Sequence, residues 1–185
     1  MIEPFAMKRV SVVGNSGSGK TTFAQQLAGT LHAPHIELDS IFHLPNWTQL
    51  DTDSFRAQVS SATNATSWVV CGNYRQVNDI VWSRADTVVV FDFPRRIVMW
   101  RVIKRTVRRF IKREELWNGN REPFRNFIAL HDPEKSIIAW AWTRHRFYHD
   151  TYRAAAEVGG GNVTWVFFTK PRDVHRFLDD RSRSA

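Results

Sequence analysis

Five short apolar runs punctuate the chain, at residues 9–13, 35–38, 68–71, 87–91 and 164–168. Most are continuous rather than alternating, which is the signature of parallel strands covered on both faces. Between them the polar and apolar positions take a helical period. Residues 20–31 place Phe23, Leu27 and Leu31 four apart. Further helices are expected over 55–62, 97–111, 135–157 and 171–179, and the one over 97–111 carries Trp100, Ile103, Val107 and Phe110 on one face. Alternating strands and helices predict an α/β fold, an open parallel sheet with right-handed crossovers. Two stretches break the rhythm. Residues 39–53 are rich in aromatics and turn formers (Phe42, Pro45, Asn46, Trp47). Residues 114–134 hold Asn118-Gly119-Asn120, Pro123 and Pro133 and read as a mobile insert. No linker divides the 185 residues, so a single domain spanning 1–185 is expected.

The first strand is followed by Gly14-Asn15-Ser16-Gly17-Ser18-Gly19-Lys20-Thr21-Thr22. Gly14, Gly19, Lys20 and Thr21 complete the Walker A spacing, G-x-x-x-x-G-K-[ST]. Such glycines let successive N–H groups turn inward as an anion nest, and the helix beginning at Lys20 adds its positive dipole end. Lys20 suits the β- and γ-phosphates, and the Thr21 hydroxyl suits Mg²⁺. A nucleoside triphosphate, ATP before GTP, is the expected ligand. Residues 14–22 are therefore nucleotide-binding candidates.

Charge and composition narrow the rest. The formal net charge is +8, which favours polyanionic ligands. Nine Arg or Lys crowd residues 95–113 without one acid, whereas residues 21–74 carry only Arg56. The single cysteine, Cys71, excludes an intrachain disulfide and the usual zinc spacings, and suits a reducing, cytoplasmic setting. The N-terminus lacks the signature of a signal peptide, and no apolar run is long enough to span a bilayer.

A phosphotransferase also needs groups that hold an acceptor and neutralise the transferred charge, and in open α/β sheets these come from the C-terminal strand ends. Asp39 follows the second strand and suits either Mg²⁺-bound water or the proton of an acceptor hydroxyl; capping the turn at Ser40 is the alternative. Gly72 and Arg75 follow the third strand, where Gly72 admits a substrate to the backbone and Arg75 pairs with its anionic group; an ordinary turn with a solvated arginine is the alternative. Arg101 and Arg105 share a helix face, one for adenine and the other for phosphates, or both belong to a solvated basic face. Thr169, Lys170 and Pro171 follow the fifth strand, placed to hold a purine edge. His43 and Trp47 either line an acceptor pocket or pack.

At these residues the chain resembles the adenylate-kinase-like P-loop small-molecule kinases. It looks closest to the branch labelled DNA topology modulation protein. The likeness rests on residues 14–22, on Leu38-Asp39 followed by Pro45-Asn46-Trp47, on Gly72-Asn73-Tyr74, and on Phe91-Asp92-Phe93-Pro94 leading into the basic helix. It implies a P-loop sheet in the order 2-3-1-4-5, an acceptor segment over about 39–67 and a lid over about 105–134. By the same likeness Arg101 and Arg105 are phosphate-binding lid arginines, Arg75 binds an acceptor phosphate, Arg144 is a further phosphate-binding arginine and Arg56 an acceptor arginine. Relatives usually carry Asp where this chain has Cys71, which leaves Asp39 to organise the metal's water or catalysis altered. The expected function is Mg²⁺-dependent transfer of the ATP γ-phosphoryl group to a small acceptor, with Lys20, Asp39, Arg105 and Arg144 catalytic, by a monomer or homodimer that does not bind membranes. The alternatives are a nucleotide-binding, DNA-associated regulatory protein, motivated by the basic cluster, and a P-loop protein that binds nucleotide without transferring phosphate.

Overall fold

The computed structural model describes residues 7–121, 132, 136–158 and 163–183. Its strands are β1 (Arg9–Gly14), β2 (His35–Glu37), β3 (Trp68–Cys71), β4 (Thr87–Phe91) and β5 (Thr164–Phe168). They form one parallel sheet in the order β2-β3-β1-β4-β5. The helices are α1 (Lys20–Thr30), α2 (Leu38–Phe42), α3 (Thr52–Ala62), α4 (Asn78–Arg84), α5 (Arg95–Lys112), α6 (Ile137–Val158) and α7 (Pro171–Ser182).

Both sheet faces are covered, which is why the strands read as unbroken apolar runs. On one side Val10, Val12, Val69, Val89 and Phe91 meet Phe23 and Leu27 of α1, Val98 of α5, and Val174 and Phe177 of α7. On the other, Val13, Val70, Val88 and Val90 meet Phe55 and Val59 of α3, Val81 of α4 and Tyr152 of α6. Each fully buried Phe, Leu or Val contributes about 1.5–3 kcal/mol relative to exposure. Helix α3 begins three residues earlier than expected because the Asp51 carboxylate accepts the Ser54 N–H at 2.9 Å and caps it.

Three expectations change. Leu38 is not in β2 but opens α2, a five-residue helix too short to leave a periodic signature. Helix α4 was not anticipated at all, although Val77 and Val81 stand four apart and are buried. The apolar face read from the periodicity of α5 is not the one most deeply buried. The helix buries Val98, Val102 and Thr106, while Trp100, Ile103 and Phe110 are 68%, 39% and 45% exposed. Close packing against the phosphate loop, and α6 alongside, select the Val98 stripe over the aromatic one.

Among the described residues, no helix is long and apolar enough to cross a membrane. Residues 105–112 of the expected lid belong to α5, and 122–131 and 133–135 lie outside the described residues.

Candidate active site

The phosphate loop connects β1 to α1 across the C-terminal edge of the sheet. Gly14, Gly17 and Gly19 have φ of +139°, +78° and +100°. A Cβ on Gly14 would lie 2.7 Å from that of Phe91, and one on Gly17 would lie 2.3 Å from a Val102 methyl, so glycine is required for packing as well as torsion. Helix α1 has neither a side-chain cap nor an acid in its first turn. Its amino terminus is therefore left for an anion. Asn15 is buried and donates to the Ala141 carbonyl of α6 at 2.7 Å, while its Oδ1 accepts the Ser16 N–H. Lys20 donates to the Asn15 carbonyl at 3.2 Å. Burial pulls the Lys20 ammonium below its ordinary range and Arg105 adds to the effect, while Asp39 and Glu37 oppose it.

The turn after β3 ties this loop to the rest of the site. Asn73 pairs both ways with Gly14, accepting its N–H at 3.0 Å and donating to its carbonyl. Tyr152 of α6 donates to the same Asn73 oxygen at 3.0 Å. Tyr74 donates to Asp39 Oδ1 at 2.6 Å and lies 3.3 Å from His43 Nε2. Burial first, and the Asp39 charge second, push the Tyr74 hydroxyl well above the usual phenol range, so it stays a donor. Gly72 lines the cavity, but a Cβ there would lie 2.8 Å from Leu38, so its bareness first serves the approach of α2.

Glu37 was not singled out in the sequence. It is the register partner of Cys71, and its Oε1 accepts from the Thr21 hydroxyl at 3.3 Å. Cys71 Sγ lies 3.7 Å from the same hydroxyl. Burial pushes the Cys71 thiol up to about 11, so it remains neutral in ordinary buffers and supplies no charge. Thr21, Glu37 and Asp39 thus offer hard oxygen donors beside the phosphate loop, the set that Mg²⁺ takes with phosphates and water. No group of three or more His, Cys, Asp or Glu among the described residues forms a metal cage by itself.

Opposite stand the arginines of α5. Arg101 donates to the Ser18 carbonyl at 2.8 Å and lies over Phe93, and Arg105 donates to Ser16 Oγ at 2.9 Å. Together these groups border one cavity of about 880 Å³, lined by Ser16, Gly17 and 19–22 of the phosphate loop, by Glu37 and Asp39 beside it, and by His43, Trp47, Tyr74, Trp117 and Trp140.

Of the remaining candidates, only Arg144 touches a residue of that wall, Trp140. Arg75 is exposed, and Arg144 is exposed with its guanidinium over Trp140 and Phe147. Arg56 is committed to Asp79 by paired contacts of 2.8 and 2.7 Å, which hold that carboxyl down to about 2. Thr169 and Lys170 are exposed past the end of β5, where Lys170 and Asp173 cap α7 beginning at Pro171.

A phosphate loop between β1 and α1, on a parallel sheet ordered 2-3-1-4-5, defines a P-loop NTPase fold. Among solved structures the chain is similar to the crystal structure of a gluconokinase from Sinorhizobium meliloti 1021, at 17% identity over 96% of this chain and 92% of that one, with a TM-score of 0.52. That likeness is one of fold. No protein-family model and no curated protein matches the chain.

Proposed function

We propose that the protein is a Mg²⁺-dependent ATP kinase that phosphorylates a hydroxyl of a small acceptor. The observation that carries this reading is Asp39, held by Tyr74 on the wall of the same cavity that the phosphate loop and the α5 arginines line. A phosphate acceptor needs cations and no base, whereas a hydroxyl acceptor needs a positioned carboxylate. Asp39 answers the second need.

ATP would bind residues 14–22, with its purine edge toward 169–171. Thr21, Glu37 and Asp39 would hold Mg²⁺ and its water, and the ion when bound offsets charge on the β- and γ-phosphates. Arg101 and Arg105 already lie against phosphate-loop oxygens and would exchange those partners for phosphate. The acceptor oxygen bonds to the γ-phosphorus as the bond to the β,γ-bridging oxygen breaks. ADP departs with that oxygen, and the acceptor proton passes to Asp39. Arg144, over the cavity's Trp140, would turn toward the transferred phosphate, and the exposed Arg75 would turn toward any anionic group of the acceptor. The adenylate-kinase-like branch labelled DNA topology modulation protein is the kinship this reading favours.

The test is ATP consumption by the full chain across small polyols, hydroxy acids and nucleoside monophosphates, beside Lys20→Ala. Acceptor-dependent turnover lost in Lys20→Ala supports the proposal; absence of both ATP binding and turnover overturns it. Salt-sensitive DNA retention without ATP, lost on neutralising Arg108, Arg109 and Lys112, would favour the DNA-associated reading.

A further inference from the structure

The far end of the cavity is built by two loops that grip each other. Trp47 donates its backbone N–H to Asn120 Oδ1 at 2.8 Å and its indole N–H to the Arg121 carbonyl at 3.0 Å. Asn120 Nδ2 donates to the carbonyls of Leu44 and Trp117, both at 2.9 Å. Asn118 Nδ2 donates to the carbonyls of Ser40 and His43. Asn120 is 4% exposed, so its amide is committed to this clamp. The backbone is left-handed at Asn46, Trp47 and Asn118, with φ of 59°, 58° and 55°. That conformation is unusual for asparagine and an outlier for tryptophan, and persists where surrounding contacts enforce it. The clamp supplies those contacts, and its product is a wall of rings. His43 meets Trp47 edge-on at 5.3 Å and lies 24° from parallel to Trp117 at 6.1 Å.

The charges at this end point the same way. The carboxylate beside these rings is Asp39, whose Oδ1 takes the Tyr74 hydroxyl, whereas Glu37 stands against Thr21 at the phosphate loop. The arginines stand on α5, where Arg101 and Arg105 reach the phosphate loop and Arg108 and Arg109 lie 3.1 and 3.9 Å from Glu114. All four of these arginines line the cavity, but two are engaged with the phosphate loop and two with Glu114, so an acceptor beside Trp47 and Trp117 meets Asp39 and ring faces first. Ring faces pack well against the flat, weakly polar face of another ring, and Asp39 is placed for a hydroxyl on its edge.

Resting on the kinase reading above, we propose that the acceptor is an uncharged, hydroxyl-bearing ring seated against Trp47 and Trp117, with Asn120 as the positioning residue that holds both walls. A free sugar ring and a nucleoside share this chemistry.

Calorimetry on the full chain with Mg²⁺ and β,γ-imido-ATP separates them. The probes are glucose and thymidine, their monophosphates glucose 6-phosphate and TMP, and open-chain gluconate. One uncharged ring is expected to bind at least tenfold more tightly than its phosphate ester and than gluconate. Trp117→Ala should weaken that ring roughly tenfold, at the scale of a lost stacking contact, and Trp117→Phe by less than threefold. Asn120→Ala should weaken the ring similarly while the imido-ATP dissociation constant stays within twofold, a split that general destabilisation would not produce. Tighter binding of an ester or of gluconate, no binding of either ring by protein that binds imido-ATP, or ring binding indifferent to Trp117→Ala overturns the acceptor proposal alone. Failure to bind imido-ATP overturns the kinase reading beneath it.

Discussion

Gly17→Ala tests whether α5 rests on the phosphate loop as tightly as the geometry implies. The new Cβ would lie 2.3 Å from Val102 Cγ2 and 3.0 and 3.1 Å from that residue's backbone N and Cα, at a φ of +78°. Holding alanine in a left-handed conformation costs about 1–2 kcal/mol, and overpacking a filled site costs about 1–3 kcal/mol. The sum, roughly 2–5 kcal/mol, corresponds to a fall in Tm of roughly 4–20 °C for a chain of this length. Val102 is fully buried, so Val102→Ala alone also destabilises, by roughly 2 kcal/mol for two lost methyl groups. The double variant removes the 2.3 Å contact but keeps the backbone contacts and the torsion. It should therefore be more stable than the two single effects combined predict, by about 1–3 kcal/mol. Urea denaturation of the four proteins measures this cycle, and calorimetry with imido-ATP reports whether the loop itself is deformed. A Gly17→Ala protein as stable as wild type, or strictly additive effects, would refute the packing argument.

Asp39→Asn should lower kcat by about 10²–10⁴; unchanged turnover in steady-state assays would remove Asp39 as base. Glu37→Gln should raise the Mn²⁺ concentration needed to form the nucleotide–metal complex, read by electron paramagnetic resonance without turnover, and identical titrations would exclude Glu37 from the metal's surroundings. The Cys71 thiol titrates near 11 when folded against 9.0 in its ordinary state, so the folded chain retains a proton that the unfolded chain releases. Stability should therefore be unaffected by this group below pH 9 and fall between pH 9 and 11 by about 3 kcal/mol. Cys71→Ala should lack that portion of the fall, measured as the difference between the two proteins' urea midpoints across the range.

The donor half of the site was legible because a phosphate loop is local: nine consecutive residues bring their own turn and helix terminus. The five strands were legible because burial on both faces leaves no alternation to misread. What the sequence hid was relational. Glu37 looks like an ordinary polar strand end until the register sets it beside Cys71 and its side chain against Thr21. Residues 114–121 read as part of a mobile insert, yet Asn118 and Asn120 spend their amides on a loop more than seventy positions away. The apolar stripe of α5 was real, but periodicity states only that two faces differ, and Gly17 against Val102 decided which one turned inward. Arg75 and Arg56 were named for their charge alone, and in the structure one is exposed and the other pairs with Asp79.

The reach of α5 has a thermodynamic corollary. Its 18 residues extend about 27 Å. Its middle carries the arginines that touch the phosphate loop, and its far end leads into the segment gripping Trp47. A rod attached at both sites would make their occupancies interdependent. If phosphate draws Arg101 and Arg105 off the loop, the displacement travels along the helix to the acceptor wall. Linkage then requires that the acceptor sharpen affinity for nucleotide by the same factor that nucleotide sharpens affinity for acceptor. The helix would thus favour joint occupancy over either ligand alone, a safeguard against spending ATP on water.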